Sequence, residues 1–451
     1  MSYVRVPPDS TGKKVYHKQA TVGADTVEVP VTHLADAADP EKYLKIDVRG
    51  SASVRFAEGQ PILSGFGALK TTHQEVLGVY DPSSGSYDDL FTVTESVGAT
   101  NVYDDVAHSH MLSTTTSNGS SVIKTTNRYH YYLPGSSMLF IGTLAFGDTG
   151  KAGNTRRFGL YDDNDGVFFE LYETTLNAVI RNSGTGSVVD TKIPKSSWNV
   201  DKLDGTGPSG LTIDITNINL FWIDYQWLGG GRVRFGIYEA NGSRLVCHEV
   251  YHAGLGTVPY MRTGTLPYRS ENTNFSATGS VSQLREVCIG IYVEGKTQDY
   301  TFWRSADMNA TGVTCSSNTH ILSMRSKTVI SNNHNSVVTY PETLNVYTTQ
   351  PVSISLYQNT TLTGGSWAIS GDNAIEGSLD GTLNITGMIP FKTIYFDIGA
   401  TSVSLSEFFE VNDEAIQLNA DDTYQIWSVV GTKLGALDAV VTLNIGYREL
   451  W

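Results

Sequence analysis

The chain has 451 residues and a formal net charge of −15, with charged residues at only 17 % and Tyr (24) and Phe (16) plentiful. That balance excludes the basic footprint of a nucleic-acid binder. Apolar runs such as Met138–Ile141 are far too short to span a bilayer, so membrane insertion is not expected. Forty-four glycines, with Ser, Thr, Asn and Asp abundant, punctuate aromatic and β-branched runs, the composition of turns between half-buried strands.

Taken in chain order, residues 1–50 form a separate N-terminal segment. Pro7, Pro8 and Gly12 mark its start, Thr26–Val31 is a short extended run, and His33–Tyr43 is the best helix candidate, restricted by Pro40. Residues 51–318 read as one large β-domain. Tyr161–Gly166 (YDDNDG) lies between two apolar runs, the layout of a hairpin, and Asn241-Gly242 joins Arg232–Tyr238 to Arg244–His252 in a second. Leu211–Thr216 alternates, with Ile213 and Ile215 on one face, and Phe221–Trp227 reads as a central strand. Leu284–Val293 and Tyr300–Trp303 are expected to complete the module. Residues 319–451 form a smaller β-domain, with alternation at Val352–Leu356 and Val403–Leu405, a short helix candidate at Phe408–Ile416 and a final strand at Val440–Ile445. Together these features predict an all-β fold of several antiparallel β-sandwiches: a central jelly-roll domain of lectin-like layout and a smaller C-terminal sandwich.

Five patterns suggest chemistry or binding. His248–His252 (HEVYH) matches H-E-x-x-H, whose histidines share a zinc ion only on a helix. Here the run follows an Asn-Gly turn and reads as a strand, where four residues span ~13 Å. Gly205–Gly210 matches G-x-G-x-x-G, but a strand-like run follows instead of a helix, which favours a plain turn. Asp162, Asp163 and Asp165 suggest an irregular calcium loop, although Tyr161 and Tyr172 occupy positions where an EF-hand needs acids. His108, His110 and His130 are candidates for a metal site on a symmetry axis. Tyr260, Tyr268 and Trp303, placed in exposed loops, are the candidates for stacking on sugars; core burial is the competing reading. No catalytic residue and no cofactor are assigned.

Cys247, Cys288 and Cys315 are an odd set without close spacing, which predicts free thiols rather than a disulfide framework. The first residues, MSYVRVPPDSTGKKVYHKQ, lack the apolar run of a secretory signal. The expectation is folding in a reducing cytoplasm.

Several stretches together resemble a family of tailed-phage virion structural proteins found in marine phages and cyanophages. They are FAEGQPILSGFGALK (56–70), RYHYYLPGSSMLFIGTLAFG (128–147), RRFGLYDDNDGVFFEL (156–171), SSWNVDKLDGTGPSGLTIDI (196–215), WLGGGRVRFGIY (227–238), CHEVYHAG (247–254), VPYMRTGTLPYRSENT (258–273) and NIGYREL (444–450). The resemblance implies a non-enzymatic protein on the exterior of the phage particle, folded in the host cytoplasm before assembly and belonging to the tail or fibre adsorption apparatus. It implies a homo-oligomer, with a trimer favoured, and contact with other virion proteins through residues 1–50. A capsid-surface decoration or head-fibre protein, and a receptor-binding protein for host-surface glycan, are the alternatives.

Overall fold

The structure is a computed structural model describing residues 16–22, 25–31, 74–86, 90–294, 301–307, 312–330, 333–368, 374–405, 415–419 and 423–450. The helix candidate at 33–43, most of that at 408–416 and the stretch 56–70 lie outside these residues. Two compact units divide the chain, Met1–Gln60 and Pro61–Trp451. In the first, Tyr16–Val22 and Asp25–Val31 form an antiparallel hairpin in register from Tyr16↔Val31 to Val22↔Asp25.

The second unit begins with two sheets that share one core. A seven-stranded sheet runs in the order Val189–Pro194, Thr175–Asn182, Gly166–Tyr172, Asn154–Tyr161, Tyr268–Asn274, Ser121–Thr126, Phe91–Ser96. An eight-stranded sheet runs Arg244–Val250, Val233–Tyr238, Asn219–Tyr225, Met138–Ala145, Ser282–Glu294, Ser109–Thr114, Thr100–Asp104, with Gln74–Tyr80 also paired to Ser282–Glu294. The chain passes repeatedly from one sheet to the other, the jelly-roll pattern, and every pairing is antiparallel. Alternation in these strands points one set of side chains inward. Phe158 and Phe169 from the first sheet meet Phe221 and Phe235 from the second, with Phe158–Phe221 and Phe169–Phe221 ring centroids 5.0 Å apart. Each such fully buried ring contributes about 1.5–3 kcal/mol of apolar burial.

Both hairpins read from the sequence form. Tyr161 pairs with Gly166, and Val233–Tyr238 pairs with Arg244–Val250 across a bulge at Phe235/Gly236. Asn219–Tyr225 is central, between Val233–Tyr238 and Met138–Ala145. Leu211–Thr216, in contrast, is not a strand. Its ladder is a single bridge, Asp204↔Thr212. The Asp214 carboxylate accepts from the Thr216 amide (2.9 Å) and hydroxyl (2.7 Å) and so bends the chain into an Asx turn, which outcompetes strand pairing.

A second sandwich follows. One sheet runs Thr301–Asp307, Ala439–Leu450, Val338–Thr348, Gly399–Ser404, with Val313–Cys315 also paired to Ala439–Leu450; the other runs Ile375–Ser378, Thr319–Ser326, Trp427–Lys433, Val352–Tyr357, Lys392–Phe396. Leu344, Leu443, Ile445 and Tyr447 share its core with Ile354, Leu356, Trp427 and Phe396. The strand at Thr301–Asp307, expected to close the first module, instead pairs residue for residue with the last strand, from Thr301↔Leu450 to Asp307↔Asn444. Trp303 therefore belongs to the C-terminal sandwich.

Candidate functional site

The sequence-derived candidates disperse. Tyr268 is fully buried on a strand between the sheets, with its hydroxyl donating to Glu286 at 2.6 Å, and Tyr260 is 7 % exposed with its ring stacked 3.9 Å from that of His252. Neither tyrosine offers a ring to a sugar; burial of the apolar ring wins over loop-like sequence context. Trp303 is 66 % exposed, on a strand rather than a loop.

The aspartates of the hairpin tip are committed to protein donors instead of converging on a cation. Asp162 accepts the amides of Asn164 (2.7 Å) and Asp165 (2.8 Å). Buried Asp165 accepts from the Ser183 hydroxyl (2.8 Å) and from the amide (2.9 Å) and guanidinium (3.2 Å) of Arg262. Asp163 pairs with Arg269 at 2.6 Å. Among the described residues no three His, Cys, Asp or Glu side chains gather as a metal site.

The remaining patterns are structural. His248 sits on strand Arg244–Val250 and accepts the Asn199 amide at 3.2 Å; His252, beyond the strand, donates to the Gly231 carbonyl at 2.9 Å. The glycines at 205–210 wrap a buried carboxylate: Asp201 accepts the amides of Leu203 and Ser209, both at 2.8 Å, and a Cβ on Gly207 would lie 2.2 Å from its oxygen. That anion fills the place a phosphate would need. His108 faces Tyr103, His110 the Ser86 carbonyl, and His130 is buried between Tyr80 and the Leu266 carbonyl. Burial, helped by Arg128, pushes the His130 imidazole down to about 3. The three cysteines are free, and burial raises the thiols of Cys247 and Cys315.

Two sheet faces turned away from the cores are more organised, and of their residues sequence reading singled out Trp303 but not the rows around it. On the seven-stranded sheet, the register aligns Asn177, Glu170, Arg157 and Glu271 across four adjacent strands. Arg157 bridges Glu170 (2.8 Å) and Glu271 (3.3 Å), Lys192 reaches Glu170 at 3.0 Å, and Arg181 grips Asp190 through two nitrogens at 2.8 and 3.0 Å. Beneath the guanidinium groups lie Tyr161 and Phe168, fully buried with centroids 4.4 Å apart; Arg181 packs on both rings. Burial opposes the charge on Arg157, but Glu271, Tyr161 and Glu170 outweigh it and raise its pKa. This lattice is internally satisfied.

The other face belongs to the last strand. Val441, Leu443, Ile445 and Tyr447 are buried, so Thr442, Asn444, Gly446 and Arg448 stand on the opposite side. Pairing places Trp303 and Tyr340 beside Arg448, Ser305 and Thr343 beside Gly446, Asn345 beside Asn444, and Tyr347 beside Thr442. An open cavity of ≈ 420 Å³ lies here, lined by Asn345, Tyr347, Ala400, Ser402, Thr442 and Asn444 among others. Tyr347 is 53 % exposed, and Asn345 donates to the Asn444 side chain at 3.2 Å.

No protein-family model matches the chain, and no curated protein matches it in sequence. Solved structures do align with it. The carbohydrate recognition domain of Emp46p in its potassium-bound form is 12 % identical with a TM-score of 0.32, covering 49 % of this chain and 97 % of that one. The legume lectin-like domain from Entamoeba histolytica is 11 % identical (TM-score 0.27; 45 % and 90 % covered). The CBM2 module of the evolved Dit of Lactobacillus casei BL23 phage J-1 is 9 % identical (TM-score 0.31; 50 % and 99 % covered). At such TM-scores none of these likenesses transfers a ligand or a reaction to this chain.

Proposed function

We propose that this protein is a non-enzymatic structural component of a tailed-phage virion, part of the tail or fibre adsorption apparatus, which assembles as a homo-oligomer and is anchored through residues 1–50. One observation carries most weight. The phage-like stretches 156–171 and 258–273, about a hundred residues apart in sequence, are neighbours in space and interlock. Strands Asn154–Tyr161 and Tyr268–Asn274 pair directly, Arg262 clasps Asp165, and Arg157 and Arg269 share Glu271. The Trp227 indole of a third stretch, 227–238, donates to the Met261 carbonyl at 2.9 Å. The residues that carry the resemblance are thus the ones that set the architecture.

The non-catalytic part of the reading rests on Glu170 and Glu271. Both are buried, and Arg157 sits between them and bonds to each; Asp224 and Glu249 flank Arg234 across strands in the same way. Glycoside hydrolysis needs one protonated carboxyl and one free carboxylate across a substrate. The interposed guanidinium engages both carboxylates, so neither is presented to a substrate.

Gradient-purified phage particles, digested and analysed by mass spectrometry, test the proposal. The protein should co-purify at stoichiometric abundance with the major virion proteins; its absence from particles that infect normally would sink the virion reading.

A further inference from the structure

The face along the last strand has a chemical character that the virion reading does not require. Its cavity combines the side-chain amides and hydroxyls of Asn345, Ser402, Thr442 and Asn444 with one tyrosine ring and an apolar floor that includes Ala400, and no charged side chain contributes to the lining. The nearest cation on that face, Arg448, is neutralised by Glu342 at 2.8 Å and packs over the Tyr340 ring. An anionic or cationic ligand would find no counter-charge in the cavity. A lipid or apolar peptide would desolvate the Asn345 and Asn444 amides and leave them only the one bond they make to each other.

We propose that this face binds a neutral, linear oligosaccharide lying along strand Ala439–Leu450. A carboxamide presents a donor pair and an acceptor side by side, which matches the vicinal hydroxyls of a pyranose. Asn345 and Asn444, paired across strands, together with Ser402 and Thr442, supply such groups within one cavity. An exposed aromatic ring has an electron-rich face that packs against the C–H face of a sugar. Tyr347 provides one ring beside Thr442, and Trp303 another beside Arg448. From Thr442 to Arg448 the strand spans ~20 Å, room for several sugar rings end to end. Between Asn444 and Arg448 lies Gly446, where the Thr343 side chain occupies the space of a Cβ, its hydroxyl 2.3 Å from that position. The charged face of the seven-stranded sheet differs: Tyr161 and Phe168 are buried beneath paired arginines, and its exposed Tyr172 is already covered by Phe275 and Lys192.

A single open site of this kind binds weakly, and symmetric copies in an oligomer would raise the avidity. The inference stands or falls independently of where the protein sits on a particle.

The test uses the full chain and a panel of neutral tri- and hexasaccharides (β-glucan, α-mannan and galactan), with hyaluronan hexasaccharide as the anionic comparison, titrated by calorimetry. At least one neutral hexasaccharide should bind. Tyr347→Ala and Asn444→Ala should each weaken it at least about tenfold, while Tyr395→Ala, an exposed tyrosine on the other sheet of the same sandwich, should leave it unchanged. Trp303→Ala should weaken the hexasaccharide more than the trisaccharide. Thermal unfolding of each variant separates lost binding from lost folding, and Asn345→Ala replaces any variant that does not fold. Absence of binding to every neutral glycan at millimolar concentration, binding untouched by Tyr347→Ala and Asn444→Ala, or preference for the anionic hexasaccharide would each overturn the proposal.

Discussion

Lys124 and Glu286 meet at 2.6 Å between the two sheets of the first sandwich, each side chain 2 % exposed. Lys124 comes from the seven-stranded sheet and Glu286 from the eight-stranded one. Glu286 also accepts from the Tyr268 hydroxyl (2.6 Å) and the Ser270 hydroxyl (2.7 Å), and Lys124 lies 4.1 Å from the Phe91 ring centroid. Burial alone would raise the Glu286 pKa, but Lys124 and these hydroxyls more than offset it and hold it low.

Removing one partner should therefore hurt more than removing both. Lys124→Met leaves a buried carboxylate without its cation and should cost about 3–5 kcal/mol; pairing it with Glu286→Leu should recover much of that loss, because a hydrophobic pair of similar volume avoids the desolvation penalty. Urea unfolding of the wild type, both single variants and the double variant gives the coupling energy directly.

His130 sets a pH dependence. Its folded pKa lies near 3 and its unfolded value near 6.5, so between these limits the unfolded chain binds the extra proton. The stability is complete above pH 6.5 and falls as pH drops toward 3, by up to an amount on the order of 5 kcal/mol. His248, His252 and His320, lowered by burial, add slopes of the same sign. The Glu286 contribution also falls with pH but belongs to a lower window, below the ordinary carboxylate value of 4.5. Unfolding midpoints measured from pH 7 to 5 should slope downward, and His130→Gln should flatten that slope.

Gly166 turns the first hairpin with φ +153°, where a Cβ would lie 2.1 Å from that of Tyr161. Both the conformation and the contact exclude a side chain. Gly166→Ala should destabilise by more than about 2 kcal/mol, whereas Gly242→Ala, at φ +84° with open space around it, should cost about 1 kcal/mol. Thermal melts of the two variants would rank them.

The histidines at 248 and 252 and the aspartates at 162–165 should bind no structural metal. Purified protein should carry no stoichiometric zinc or calcium by plasma mass spectrometry, and chelator should leave the melting temperature unchanged. A drop in melting temperature with chelator, restored by calcium, would show that the Asp162–Asp165 turn holds an ion after all.

Hairpins were the most legible part of the fold, since turn residues such as Asn241-Gly242 act locally and strand alternation marks the inward face. Leu211–Thr216 shows the limit: its alternation is genuine, but the Asp214 carboxylate bends the backbone before a partner strand can capture it. Trp303 could be flagged as a candidate aromatic, yet its neighbours could not be named. Its partner Arg448 comes from a distant strand, as does Tyr340 on the far side of Arg448, and long-range register has no signature in a single chain. The same holds for the Glu170–Arg157–Glu271 row and for Asn345 beside Asn444. Tyr260 and Tyr268 failed as surface residues because Gly- and Pro-rich surroundings mark a turn-rich segment without saying which side of it faces the core.

The most direct test of the central claim is immunogold electron microscopy of intact virions with antibody raised against residues 319–451. Label at the tail tip or fibres is the predicted result. Label over the capsid would contradict the tail assignment and make this a decoration or head-fibre protein, and particles without label would contradict a place on the virion exterior.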